Sequence, residues 1–156
     1  MAVTDAIPDM TSNTAPSGIA SSQSDLGGYP AYKCMDDDTA TLYHSAEGLP
    51  QWVQYQFTVK YTITKYSVTS RATSTPLPTA FNLAGSNDGT NFTTLDTQTG
   101  QSFTNGEEKE YSFSNTTGYL YYRITTTAAS TNYAAFAEIE LEGIVTPDKY
   151  DFFTLL

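Results

Sequence analysis

The feature that most constrains this chain is a series of short segments, from residue 51 onward, in which apolar and polar residues alternate. In residues 52–57, Val53, Tyr55 and Phe57 fall on one face, and the glutamines between them fall on the other. A period of two residues is that of a half-buried β-strand. No stretch has a convincing helical period of 3.6 residues, so the sequence predicts an all-β protein.

Six further candidate strands follow, separated by turn-forming residues. They are residues 63–70, 81–85, 92–95, 110–113, 119–127 and 136–142. The dipeptide Asp88-Gly89 predicts a hairpin between the second and third of them. Short strands at regular intervals are typical of a β-sandwich or β-barrel.

Composition limits the size of the fold and the class of partner. The chain has 156 residues, enough for one domain, and 13% of them are aromatic, enough for a packed core. Seven basic against seventeen acidic residues give a net charge of −10. We therefore expect no nucleic-acid partner and no binding to anionic membranes. The sequence contains no run of 18 apolar residues, so it predicts no membrane-spanning helix.

The ends of the chain differ from its middle. We expect an N-terminal arm at residues 1–6, a domain at 7–143 and an apolar tail at 144–156, which begins where Gly143 and Pro147 end the strand pattern. Residues 1–6 lack the basic and apolar regions of a signal peptide, so a natural start here would imply another route of export. Exposed aromatic patches mark contacts. We therefore expect the tail to dock on a partner or a neighbouring subunit.

Asp36, Asp37 and Asp38 form an acidic cluster that repels itself unless it is solvated or bound to a cation. An EF-hand loop does not fit, because Ala40 and Thr41 occupy its fifth and sixth positions, which require an oxygen ligand and a glycine. Composition alone leaves a calcium site and a solvated loop equally open.

Catalytic motifs are lacking. His44 is the single histidine, Cys34 is the single cysteine, and the sequence has no Gly-x-Ser-x-Gly, His-Glu-x-x-His, Gly-x-Gly-x-x-Gly or Walker A motif. A lone cysteine in an apolar stretch is typically a core residue. We therefore expect no enzyme activity.

Four stretches, in this order, carry a resemblance to a known family: residues 7–18, residues 32–44, residues 83–92, and residues 122–124 together with 137–141. The chain resembles the discoidin, or coagulation factor 5/8 type C, domains, and among them the family 32 carbohydrate-binding modules. The resemblance covers about residues 7–143. It implies an eight-stranded antiparallel jelly roll, a β-sandwich.

The resemblance also implies a structural Ca²⁺ that holds the acidic loop against the closing strand. Residue by residue, the implied ligands are Lys33, Asp36, Asp38, Thr41, Ala137 and Glu138. Lys33 and Ala137 would contribute carbonyl oxygens, and the set as a whole suits calcium.

A sugar site at the loops of one end of the jelly roll is implied as well. Its residues would be His44, Arg71, Tyr133, Asn132 and Tyr29. Arginine and histidine can hydrogen-bond to sugar hydroxyls, and aromatic rings stack on sugar C–H faces. As alternatives, Arg71 is a solvated loop residue and Tyr133 a packing residue. Pro76 and Tyr43 stand where the family commonly has Asn and Trp.

The resemblance implies a non-catalytic module that binds surface glycans. A short chain of this kind without a signal peptide looks like the phage-encoded members. This implies a virion-associated, extracellular adhesin whose tail contacts other virion proteins or a further copy of itself. The alternative is a structural decoration protein with the same fold and no working sugar site, favoured by Pro76 and the apolar tail.

Overall fold

The computed structural model of the protein describes residues 4–147, and almost all of its regular structure is β. The strands are β1 (Ile19–Ser22), β2 (Tyr43–His44), β3 (Gln51–Thr69), β4 (Pro78–Ser86), β5 (Thr93–Gln98), β6 (Glu108–Ser112), β7 (Tyr119–Ala129), β8 (Ala135–Phe136) and β9 (Glu138–Val145). One 3₁₀ turn spans Ala31–Cys34. All strand pairs are antiparallel. The all-β expectation is confirmed, with nine strands in the described residues where the resemblance implied eight; β1 and β2 lie outside the segments predicted from alternation.

The long strand β3 joins the two layers of the sandwich. The sequence predicts separate strands at 52–57 and 63–70, whereas the structure has one strand of 19 residues. Its pairing register shifts between Gln56 and Tyr61. The strand bends there, so that its first half pairs with β1 and β7 and its second half with β6 and β9.

The core lies between these two layers. One layer has the order β1-β3-β7-β4-β5, and the other consists of β6 and β9 on either side of the second half of β3. Phe81 of the first layer contacts Tyr66 and Phe136 edge to face, with ring centroids 6.5 Å apart in both pairs. All three rings are fully buried. Rings of this size make the largest contribution to burial in the core.

Both ends of β3 lie at the same end of the sandwich. Gly48 N, just before β3, donates to Asn132 O, and Ala137 N donates to the carbonyl of Thr69, the last residue of β3. Because Asn132 and Ala137 flank the short strand β8, the loops that enter and leave β3 are neighbours. The bend at residues 57–60 therefore lies at the opposite end.

Strand pairing extends beyond residues 7–143 at both ends. Strand β9 continues past 143 to Val145, and Thr146 N donates to Lys60 O at 2.8 Å. On the N-terminal side, Asp5 forms a β-bridge with Glu142, so the end of the predicted arm lies against β9. Within residues 4–147 no helix is long and apolar enough to cross a membrane.

Candidate functional site

Three loops meet at the end of the sandwich where β3 begins and ends. The first, residues 24–29, is attached to the second, residues 44–49, by a hydrogen bond from Leu26 N to His44 O at 2.8 Å. The second is attached to the third, residues 130–134, by a bond from Ser45 N to Ala134 O at 2.9 Å. Backbone bonds across loops fix their relative positions. The side chains that they carry are therefore held as a group.

Three aromatic rings from these loops lie side by side. The ring centroid of His44 is 6.0 Å from that of Tyr29 and 5.3 Å from that of Tyr133, and both pairs are tilted. Tyr29 is exposed, and the other two are half-buried. We call Tyr29, His44 and Tyr133 the ring cluster. It offers an apolar surface with polar edges, which suits the C–H face and hydroxyl rim of a sugar.

The imidazole of His44 has a defined orientation. Its Nδ1 lies 2.8 Å from the carbonyl oxygen of Ser45. A carbonyl only accepts, so in the neutral ring Nδ1 carries the proton and Nε2 has a lone pair. Nε2 can therefore accept a hydrogen bond from a hydroxyl group.

Asn132 orders the loops instead of presenting its amide oxygen to solvent. Its Oδ1 accepts a hydrogen bond from Leu49 N at 3.1 Å, and its carbonyl accepts one from Gly48 N. These bonds join the loop before β3 to the loop that carries Tyr133. Asn132 is thus close to the ring cluster as a positioning residue.

Arg71 lies on the adjoining loop, residues 70–77, and no described hydrogen bond joins it to the ring cluster. Its Nη1 donates to Thr75 O at 2.7 Å, and its Nε is buried without a hydrogen-bond partner among the described residues. The loop is joined to the Tyr133 loop by reciprocal bonds between Leu77 and Ser130. Arg71 thus lies on a loop bonded to the Tyr133 loop, with its Nη1 turned to the carbonyl of its own loop.

Leu26 was not among the residues predicted from the sequence. Its side chain is exposed, and its backbone is bonded to His44 and to Tyr29. The only sequence signal was its place in the Leu26-Gly27-Gly28-Tyr29 turn. It adds an apolar edge beside the ring cluster.

The acidic loop forms a second constellation, centred on the hydroxyl of Thr41. Thr41 Oγ1 lies 3.0 Å from Lys33 O, 2.8 Å from Asp36 Oδ2 and 3.3 Å from Asp38 O. One hydroxyl thus has three oxygens around it from three positions of a nine-residue loop. These are four of the six residues predicted from the family resemblance.

Glu138 enters the same place from β9. Its side chain is 4% exposed, and its Oε1 accepts a hydrogen bond from Asp38 N at 3.2 Å. Burial, together with a shared hydrogen bond and the charge of Asp36, raises the pKa of Glu138 to about 9. Neither Glu138 nor Asp36 forms an ion pair with a basic residue in the described part of the chain. The sixth predicted residue, Ala137, is buried beside Glu138.

The donor chemistry at this place fits a hard cation. No group of three or more His, Cys, Asp or Glu side chains within residues 4–147 is arranged to hold a metal. The oxygens that converge here are two carboxylates, one hydroxyl and backbone carbonyls, the mixture that Ca²⁺ takes. Buried Glu138 and half-buried Asp36 repel each other when both are ionised, unless a cation lies between them. Cys34, buried nearby with its Sγ bonded to Ala31 O, is a core residue.

Comparison with known proteins gives the family. The family model described as the F5/8 type C domain matches residues 18–139. This protein belongs to the F5/8 type C family. The match spans the acidic loop, the ring cluster and Glu138, so both constellations lie within the F5/8 type C domain.

Solved structures agree on the fold. A carbohydrate-binding module of Clostridium perfringens in complex with GalNAc-β-1,3-galactose aligns with a TM-score of 0.73 and 21% identity, over 80% of this chain and 94% of the module. The family 32 module of NanJ from the same organism, in complex with galactose, aligns with a TM-score of 0.71 and 21% identity, over 80% of this chain and 93% of the module. A point mutant of chitosan-binding module 1, from a Paenibacillus sp. IK-5 chitosanase/glucanase, aligns with a TM-score of 0.70 and 26% identity, over 84% of this chain and 98% of the module. No curated protein matches this chain in sequence.

Proposed function

We propose that this protein is a non-catalytic carbohydrate-binding module and that the ring cluster is its glycan site. The observation that carries the proposal is the arrangement of Tyr29, His44 and Tyr133 on three loops joined by backbone hydrogen bonds. Two rings stack on a pyranose face, while His44 Nε2 accepts a hydrogen bond from a hydroxyl. Asn132 positions the loops, and Arg71, on the loop bonded to the Tyr133 loop, is a candidate for widening the site.

The ligand class follows from the surface of the site and from the relatives. Ring faces with one hydrogen-bonding edge fit a terminal or exposed hexose more closely than a charged group. The related structures hold galactose, hold GalNAc-β-1,3-galactose or are described as chitosan-binding. A shallow site of this kind binds a single sugar weakly, so useful affinity requires several copies side by side.

The test is a glycan array probed with the protein made multivalent, followed by titration of the best ligand. We expect Tyr133→Ala to weaken binding at least tenfold, because it removes one stacking surface. Tyr121→Ala, which alters an aromatic residue on a sheet strand, is the matched control and should leave affinity unchanged. Arg71→Ala shows whether the adjoining loop takes part. Equal affinity of the Tyr133→Ala variant would contradict the proposed site.

Calcium is the second part of the proposal. The residues that would hold Ca²⁺ are Lys33 O, Asp36, Asp38, Thr41, Ala137 O and Glu138. When bound, the ion supplies positive charge to the buried carboxylate of Glu138 and the half-buried one of Asp36. The residues themselves join the acidic loop to β9, through Asp38 N and Glu138 Oε1. The role is to stabilise the acidic loop, with no part in catalysis.

We also propose that the protein is a phage adhesin, located on the virion and outside the cell. The second candidate is a structural decoration protein of the same fold, attached to other virion proteins or to itself through the C-terminal tail. The observation that favours it is Arg71, whose Nη1 is bonded within its own loop. A folded, calcium-loaded protein that binds no glycan on the array would support this candidate over the first. Residues 148–156 of the tail lie outside the described residues.

A further inference from the structure

An exposed apolar patch lies at the end of the sandwich opposite the glycan site. It consists of Ile19, Val59, Ile144 and Val145, with 42%, 48%, 63% and 50% of their surfaces exposed. Ile144 and Val145 pair with Thr62 and Tyr61, just after the bend of β3, and Ile19 pairs with Gln56, just before it. Four neighbouring aliphatic residues on one end of a strongly acidic protein indicate a contact surface.

This patch contains two adjoining grooves, each with a volume of about 360 Å³. Thr58 and Leu120 line both of them. The first groove is also lined by Lys60, Val145 and Pro147, and the second by Ile19. Lys60 forms no ion pair with another described residue. The surface therefore offers aliphatic walls and one positive charge.

The course of the chain leads directly to these grooves. Thr146 is fixed by the bond from its N to Lys60 O and by a contact of 2.8 Å between its Oγ1 and that of Thr62. Pro147, the next residue, is itself part of the wall. The nine residues that follow contain Tyr150, Phe152, Phe153, Leu155 and Leu156, with acidic residues at 148 and 151. A segment of nine residues can reach roughly 30 Å when extended, enough to follow two small adjoining grooves.

We propose that residues 148–156 cover this patch on their own chain. Their aromatic and aliphatic side chains match the groove walls. Their two aspartates outnumber the one lysine, Lys149, so the segment carries a negative excess that matches the charge of Lys60. A segment tethered at the rim of its groove has an effective concentration in the millimolar range, which favours the same chain over another molecule. The sequence alone pointed to a partner or a neighbouring subunit. This inference does not depend on glycan binding.

The test is hydrogen exchange of the full chain, detected by mass spectrometry. Light scattering on the same sample gives the molar mass of the protein in solution and so its oligomeric state. We expect the protein to be a monomer. In it, backbone amides of 150–156 should exchange at least tenfold more slowly than in a free peptide of the same sequence. Val59→Asp should remove this protection and leave β4 and β7 protected. Leu26→Asp, an equally exposed leucine at the other end, is the matched control and should change nothing in the segment.

A second variant keeps the test decisive if Val59→Asp fails to fold. Phe152→Asp combined with Phe153→Asp alters only the segment, and it should remove the same protection without affecting the strands. Exchange of 150–156 at the free-peptide rate in the unaltered chain would overturn the proposal. Protection that appears only in a dimer, and is lost on dilution, would overturn it in favour of a second copy.

Discussion

At the scale of single residues, Asp88 closes the hairpin between β4 and β5. Its Oδ1 accepts hydrogen bonds from Thr90 N at 2.8 Å and Asn91 N at 2.7 Å, and its Oδ2 accepts one from Asn91 Nδ2 at 2.7 Å. Gly89 has a φ of 72°, the left-handed conformation that the turn requires. The predicted Asp-Gly hairpin is therefore present, and the carboxylate holds the turn. Hydrogen bonds from Asn91 hold the pKa of Asp88 well below its usual range.

This gives a prediction about pH. The unfolded chain has an aspartate pKa of about 3.9, whereas the folded hairpin favours the ionised carboxylate. The stability that ionised Asp88 contributes is therefore complete above pH 4 and is lost as pH falls below it. We expect Asp88→Asn to melt at a lower temperature than the unaltered protein at pH 7, with the difference narrowing toward pH 2. The measurement is the melting temperature of both proteins across this range.

The exposed residue Asp25 provides a control for net charge, as Asp25→Asn. Its effect on the melting temperature should be small at pH 7 and should lack the narrowing described for Asp88. The melting temperatures of Asp88→Asn and the unaltered protein could instead differ by the same amount from pH 7 to pH 2. That result would show that ionisation of Asp88 is not the source of the stability.

At the scale of elements, β3 and β9 approach closely at one glycine. A Cβ added to Gly143 would overlap the carbonyl oxygen of Thr62 and the Cα of Ile63 in the facing strand. The register between β3 and β9 shifts at this place, between Ile63 and Lys65. Both neighbours are backbone atoms, which cannot move aside without disturbing the sheet. Gly143 is thus required by close approach of two strands and not by its own φ.

We predict that Gly143→Ala lowers the free energy of unfolding by about 2–3 kcal/mol, within the range for overpacking against a fixed backbone. Urea denaturation followed by tryptophan fluorescence measures the change. Gly27→Ala is the matched control, because a Cβ at Gly27 meets nothing within 4 Å. If both variants unfold at the same urea concentration, the close approach of β3 and β9 is not as the structure describes it.

At the scale of the whole molecule, the acidic loop and β9 bring together residues one hundred positions apart, Asp38 and Glu138. The proposed Ca²⁺ would bind only when this long-range contact is formed. A ligand that binds only the folded state stabilises it, by about 2.7 kcal/mol at a hundredfold excess over Kd. The expected effect therefore concerns the stability of the entire domain.

We predict that EDTA lowers the melting temperature of the purified protein and that added Ca²⁺ restores it, as measured by calorimetry. Glu138→Gln should melt at the same temperature with and without Ca²⁺. Glu140→Gln, two residues along β9, is the matched control and should retain the response. A melting temperature that is insensitive to EDTA in the unaltered protein, with no Ca²⁺ binding heat, would contradict the calcium proposal.

The sequence by itself determined the class of fold, the hairpin at Asp88-Gly89 and the residues of the acidic loop. Alternation with period two and a local turn motif are properties of neighbouring residues, so they can be interpreted without coordinates. The same holds for the family match, since it rests on motifs in a fixed order. The ring cluster was named from the resemblance, and its members proved to lie together.

Only the tertiary structure decided what depends on distant contacts. It joined two predicted strands into β3, because the register shift between Gln56 and Tyr61 is set by the facing strands. It placed the Arg123 guanidinium between Trp52 and Phe92, 4.0 and 3.8 Å from their ring centroids. It also turned Arg71 into its own loop and brought Val59 and Val145 into one groove with Pro147. Such arrangements depend on the bend of a sheet, which brings separate segments together and which local sequence does not encode.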